Sequence, residues 1–348
     1  MDLQYWPNDA LGRREDGKFL QRFLTGRYEQ VGGPFVLNID AGWGRGKSYF
    51  LKCLGDQLEG GGHLVARVNA WKTDHADDPL LAVMAAIEDG LKPYAAKKSV
   101  REKIDALKHN AGSIVWAGVK GALVGAARRY GGDAVDEIAD LAGAPAPPKS
   151  DGKSAKRAVS NDISAAVINE VESIADRAAR SAIEKFRNAE RSIESFKSNM
   201  SALLEVAFAA GAKAPFFVLI DELDRCRPPY ALEMLERAKH LFDISEVVFI
   251  IATDTGQMKE SIKAVYGSGF DSARYLHRFF DRTYNFEEPT LDAFLTMLRD
   301  RQPIDEAKLS VPEQWTSVQE AILVGIGGFD MSLRDFSQCY DLLERTPF

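Results

Sequence analysis

Eight residues, Ala41-Gly-Trp-Gly-Arg-Gly-Lys-Ser48, constrain this chain more than any other stretch. They follow an apolar run, Phe35-Val-Leu-Asn-Ile39, and precede residues with helical spacing from Tyr49 to about Leu58. Strand, glycine-rich turn, Gly-Lys-Ser and helix together describe a phosphate-binding loop. A turn with few β-carbons lets backbone N–H groups converge on phosphate oxygens, and the helix behind it adds the positive end of its dipole. The spacing casts Gly42, Trp43, Gly44, Arg45, Gly46, Lys47, Ser48 and Tyr49 as the nucleotide-contacting run. Lys47 is expected to reach the β- and γ-phosphates, and the Ser48 hydroxyl to hold Mg²⁺. Ala41 stands where the pattern usually has its first glycine. It is small, and Gly42 and Gly44 keep the turn permissive.

A second run gives the loop its chemical counterpart. Pro215-Phe-Phe-Val-Leu-Ile220 is continuously apolar, as a strand buried on both faces must be, and it ends in Asp221-Glu-Leu-Asp-Arg225. Carboxylates at the C-terminal end of such a strand lie where α/β sheets bind ligands. Asp221 is the expected Mg²⁺ partner and Glu222 the residue that orients and polarises an attacking water. Asp224 and Arg225 are read as supporting residues or as contacts to a second chain.

Composition sets the frame. The 348 residues suffice for a nucleotide-binding core with an insertion and a C-terminal subdomain, or for two domains. A formal charge of −7 argues against a general coat for nucleic acid. Cys53, Cys226 and Cys339 are far apart, show no metal spacing and suggest a reducing compartment. The first residues, MDLQYWPNDA, lack the basic and apolar regions of a signal peptide, and a cytoplasmic location is expected.

Taken in order, residues 1–91 read as the first part of the core: a lead-in turn at Asp9–Arg13, a helix over Lys18–Tyr28, the loop unit, a strand at Leu64–Val68 ending in Asn69-Ala-Trp71, and a helix reaching Leu91. Arg13 and Arg14 are candidates for a base or ribose contact, with solvated charges at a helix start as the alternative. Trp71 reads as packing. Residues 92–212 read as a mostly helical insertion. Its first part, 92–130, is basic, and a contact to nucleic-acid phosphates there should weaken steeply with salt. Within it, residues 111–127 are small-residue-rich and weakly apolar but interrupted by Lys120, short of the about 20 apolar residues that span a bilayer. A helical hairpin docking on protein is favoured over a segment lying on a membrane surface. Residues 143–160 read as a flexible linker, and from Ile163 apolar residues recur every three to four positions, as in a long helix that packs on the core or meets a partner or second copy. Residues 213–289 supply the second part of the core, with a strand at Val247–Ala252 and a last strand at Thr283–Phe286. Residues 290–348 read as a helical, lid-like subdomain.

Several polar residues fall at useful places. Thr253 and Asp254 end a buried strand and are candidates for sensing the γ-phosphate or holding water. Arg278 and Arg282 are candidates for a charge-stabilising arginine, supplied within the chain or across a subunit boundary, with structural ion pairing as the alternative. Arg334, near a predicted helix start, is placed to fold back onto a nucleotide.

Taken together, Gly-Trp-Gly-Arg-Gly-Lys-Ser48, Asn69-Ala-Trp71, Asp221-Glu-Leu-Asp-Arg-Cys226, Tyr275-Leu276 and the lead-in Asp9–Arg13 resemble the KAP family of P-loop NTPases, in the additional-strand division. The resemblance covers about residues 5–345, with 92–212 as the variable insertion. It implies an α/β fold with a parallel sheet in 5-1-4-3-2 order flanked by helices, and ATP rather than GTP hydrolysis coupled to rearrangement of partners. Many members carry paired transmembrane segments in the insertion, where this chain has 111–127, and prokaryotic members frequently belong to mobile or anti-phage gene clusters. Glu222 replaces an aspartate common in the family, which preserves the carboxylate.

The reading is therefore a Mg²⁺-dependent ATPase that works through a homo-oligomer or a partner bound by residues 92–212. A kinase and a nucleotide-gated adaptor with little turnover are the competing classes.

Overall fold

The computed structural model describes residues 2–75, 79–94, 100–104, 191, 193–241, 243–286, 291–304, 316–327 and 331–345. The expected linker at 143–160, the 111–127 stretch, most of the basic 92–130 stretch and the start of the long helix from Ile163 lie outside them. The chain divides into two compact units, Met1–Asp105 with Asn199–Phe348, and Ala106–Ser198. In the second, residues 193–198 are helical. Among the described residues, no helix is long and apolar enough to cross a membrane.

The larger unit is built on five parallel strands: β1 (Phe35–Asp40), β2 (His63–Asn69), β3 (Lys213–Asp221), β4 (Val247–Thr253) and β5 (Arg282–Asn285), in the order β2-β3-β4-β1-β5. This is the order that the family resemblance implies. Helices α1 (Arg13–Val31), α2 (Lys47–Gly60), α3 (Ala70–Thr73), α4 (Pro79–Leu91), α5 (Pro228–Leu241), α6 (Thr255–Tyr266) and α7 (Ser272–Leu276) connect the strands or cover them. Beyond β5 come α8 (Leu291–Arg301), α9 (Val318–Gly327) and α10 (Leu333–Arg345). β4 is buried along its whole length, and β1 and β3 nearly so, which is why their sequences are continuous apolar runs rather than alternating ones.

Asn38 is the exception in β1, and it is fully buried. Its amide donates to Thr255 Oγ1 at 3.2 Å and its carbonyl oxygen accepts from the Thr253 hydroxyl at 2.8 Å, so the interruption ties β1 to the end of β4. A buried amide is tolerated when both ends are paired.

The lead-in is anchored to the helix behind the loop. Trp6 is buried against Phe50 of α2, with ring centroids 5.4 Å apart, and its indole N–H donates to Gln57 Oε1 at 2.6 Å. Asp9 accepts from the backbone N–H groups of Arg13 and Arg14 at 2.9 and 2.8 Å, satisfying donors that the first turn of α1 leaves unpaired. Helix α1 therefore begins at Arg13, earlier than its apolar periodicity alone suggests.

The C-terminal helices share a small core of Leu295, Leu298, Phe336 and Tyr340. Helix α10 opens with a reciprocal cap: Asp335 N–H donates to Ser332 Oγ at 3.2 Å, while Ser332 N–H and hydroxyl donate to Asp335 Oδ2 at 3.1 and 2.7 Å.

Helix α4 lies so close to β2 that a β-carbon at Gly90 would stand 2.5 Å from the Val65 carbonyl oxygen. That oxygen belongs to a strand and cannot swing away. Gly90→Ala should therefore lower unfolding stability by about 1–3 kcal/mol in denaturant titration, the cost of overpacking a close-packed interior. An unchanged midpoint would show that α4 can lift off the sheet freely.

Candidate functional site

The site forms at the C-terminal ends of β1 and β3. The turn after β1 takes left-handed backbone at Gly44 (φ +76°) and Gly46 (φ +87°), conformations that residues with a β-carbon resist. Those two glycines direct the loop around an open centre and into α2. A cleft of about 600 Å³ lies over it, lined by loop residues 42–49, by Pro7–Leu11 and Arg13 of the lead-in, by Asp221, Glu222, Asp224 and Arg225, and by Arg301 and Arg334 of the C-terminal helices.

Lys47 is 9% exposed. Its ammonium donates to the Ala41 and Gly42 carbonyl oxygens at 2.5 and 3.3 Å and stands 3.8 Å from Asp224 Oδ2. The cation thus folds into the loop that a phosphate would fill. The Asp224 side chain is 4% exposed, and its other oxygen, Oδ1, has no hydrogen-bond partner among the described residues.

Asp221 accepts from the Ser48 hydroxyl and, at 2.8 Å, from the Glu222 backbone N–H. Burial raises its proton affinity above that of an ordinary aspartate. The two donors oppose that shift, and the neighbouring Glu222 and Asp224 carboxylates add to it. Glu222 has φ +60°, unusual for a residue with a β-carbon. One carboxylate oxygen accepts from Asn69 Nδ2 at 2.7 Å, and the other pairs with Arg225 Nη1 at 2.6 Å. The Cys226 thiol donates to the Glu222 carbonyl at 3.6 Å, and burial pushes its pKa up to about 12, so it stays protonated as a weak donor.

Trp43, about half exposed, projects from the loop, and the Arg334 guanidinium lies 4.5 Å from its ring centroid. A β-carbon at Gly44 would stand 2.6 Å from Ser332 Oγ, so the cap of α10 rests on the loop backbone. Arg13 also lines the cleft, buried, with its guanidinium 4.1 Å from the Phe286 ring centroid and 3.2 Å from Asp16. The Tyr49 hydroxyl donates to the Pro7 carbonyl at 2.7 Å, closing the lead-in over the start of α2.

The structure brings Arg13, residues 42–49, Asp221, Glu222 and Arg334 to one cleft. Thr253, Asp254, Arg278 and Arg282 do not line it. Thr253 is buried with its hydroxyl committed to Asn38, and Asp254 caps α6 by accepting from Gln257 N–H at 3.2 Å. Arg278 is exposed, 6.0 Å from the Tyr275 ring centroid. Sequence reasoning gave Asn69 no role of its own. Its signal was its place at the end of β2, which pairs in register with Asp221.

The model of the KAP family P-loop domain matches residues 28–346. The chain belongs to the KAP family of P-loop NTPases. No curated protein matches it. Among solved structures, that of C. elegans PCH-2 is similar at 12% identity, over 100% of this chain and 67% of that one, with a TM-score of 0.37.

For a KAP domain the residues present fit a nucleotide and its metal. No group of three or more His, Cys, Asp or Glu able to hold a metal occurs among the described residues. One hydroxyl, Ser48, beside one partly buried carboxylate, Asp221, is the donor set of a metal that arrives on phosphate oxygens. Since burial raises the proton affinity of Asp221, protons compete with a cation there from above the ordinary aspartate value of 3.8. Mn²⁺ binding in the presence of a non-hydrolysable ATP analogue, followed by electron paramagnetic resonance, should weaken as pH falls toward that value. Asp221→Asn should weaken binding and remove that contribution to the pH dependence.

Proposed function

We propose that this KAP domain binds ATP with Mg²⁺ and hydrolyses it, using the energy to rearrange itself with partner proteins or further copies of the chain. The observation that carries the reading is the meeting of Lys47, Ser48, Asp221 and Glu222 in one cleft on the C-terminal side of a parallel sheet. Loop amides and Lys47 would hold the β- and γ-phosphates. Ser48 and Asp221 would hold Mg²⁺, which would supply charge neutralisation at the phosphates. Glu222 accepts a proton from the attacking water, and Arg334 and Trp43 close the cleft from the C-terminal side.

Arg278 lies on the surface and away from its own chain's cleft, which favours a role across a subunit boundary over one within the chain. Partner binding through residues 92–212 belongs to this proposal, as does the nucleic-acid contact through the basic stretch as its weaker variant. A second reading, an ATP-gated adaptor with little turnover, draws support from Glu222, whose two carboxylate oxygens are already paired.

The test is phosphate release from ATP and Mg²⁺ by the full chain beside Lys47→Ala and Glu222→Gln. Glu222→Gln should lower turnover by about 10²-fold or more, the lower end of what a positioned general base contributes, while ATP remains bound. Lys47→Ala should lose binding and turnover together. Tight ATP binding with equal, negligible release by wild type and Glu222→Gln would favour the adaptor.

A further inference from the structure

Among the described residues, four carboxylates line the cleft, and three of them have hydrogen-bond donors of their own. Asp9 accepts from the Arg13 and Arg14 backbone N–H groups. Asp221 accepts from the Ser48 hydroxyl and the Glu222 N–H. Glu222 accepts from Asn69 and pairs with Arg225. Asp224 differs. Its Oδ1 is buried with no hydrogen-bond partner, and its Oδ2 faces the Lys47 ammonium at 3.8 Å, an ion-pair separation too long for a hydrogen bond.

The turn after β3 sets this position. Leu223–Arg225 forms a single 3-10 turn, closed by the Arg225 N–H donating back to the Glu222 carbonyl at 3.2 Å. Leu223 is fully buried and anchors the turn, which leaves the Asp224 side chain beside the lysine with only 4% of it exposed. A carboxylate held in this way is a poor device for stabilising a fold. The cost of taking two charges out of water offsets their attraction unless further hydrogen bonds complete the pair, and Oδ1 has none. The arrangement does act on a ligand. Lys47 is the cation that the loop offers to phosphate. A fixed negative charge beside it lowers what that cation offers, and repels phosphate oxygens across a site where burial weakens screening.

We infer that Asp224 is a resident counter-ion for Lys47: it stabilises the nucleotide-free cleft by neutralising the buried cation, and it loosens the hold on a triphosphate, which has to share that cation with it. Asp224 is then a positioning residue that acts through Lys47 and sets nucleotide affinity below what the loop alone would give. The inference rests on the nucleotide binding of the proposed function and not on hydrolysis.

The test uses the full chain, with Asp224→Asn keeping the side-chain shape and removing the charge. Adenylyl imidodiphosphate with Mg²⁺, titrated by calorimetry, should bind Asp224→Asn about fivefold or more tightly than wild type, the lower end of ordinary coupling between sites. In urea titration the nucleotide-free Asp224→Asn chain should unfold at a lower midpoint. A residue that only held structure would lower stability without tightening the ligand. The double variant Lys47→Met/Asp224→Asn, in which neither charge remains, should recover the midpoint that Asp224→Asn loses. Should Asp224→Asn fail to fold, a folded double variant supports the pairing, and an unfolded one overturns it. Unchanged or weaker binding of the analogue by Asp224→Asn would overturn the inference, since Asp224 would then be indifferent to the nucleotide or help to hold it. Tighter binding without phosphate release from ATP in wild type would sustain the inference and remove the hydrolytic reading instead. If the analogue binds neither wild type nor Asp224→Asn, nucleotide does not enter the cleft and both fall.

Discussion

The Lys47 ammonium is the group around which the cleft is arranged. A buried cation must be paired, and here its partners are two loop carbonyls and a buried carboxylate, Asp224. The carbonyls converge on it because Gly44 and Gly46 take left-handed backbone, and the carboxylate is beside it because β3 ends near the loop, one strand removed from β1 in the sheet. Lys47 therefore joins the local geometry of one turn to the strand order. A phosphate in the loop would share the Lys47 ammonium with those partners.

The C-terminal helices extend this logic to the far side of the cleft. They pack through their own small core, and their contact with the loop is narrow: the Ser332 cap against Gly44 and Arg334 against Trp43. Placing the cap on a glycine lets the Ser332 side chain approach the loop where a β-carbon would hold it off. The tryptophan inside the phosphate loop, odd for a turn that must admit phosphate, is explained by its outward position and its arginine neighbour.

Much of this was legible in the chain because its strongest signals are local. An apolar run, a turn rich in glycine and a Lys-Ser pair opening a helix define the loop within a span of about a dozen residues, and Asp221 and Glu222 follow directly from the end of a later apolar run, Pro215–Ile220. Strand order came from the family resemblance. What was not legible depends on pairings across the sheet. Thr253 looked available at a strand end, but Asn38, on another strand, takes its hydroxyl. Asn69 looked like an ordinary strand terminus, and only the register of β2 on β3 places its amide against Glu222. The start of α1 was missed because its first donors are satisfied by Asp9, upstream of the apolar periodicity.

The central claim is that the loop is a nucleotide site whose lysine exchanges protein partners for phosphate. The most direct measurement is a crystal structure of the full chain with a non-hydrolysable ATP analogue and Mg²⁺. The account predicts the β- and γ-phosphates against the loop amides, the Lys47 ammonium withdrawn from the Ala41 carbonyl and bonded to phosphate oxygen, and Mg²⁺ beside Ser48 and Asp221. Nucleotide bound elsewhere, with Lys47 still on the Ala41 carbonyl, would contradict it.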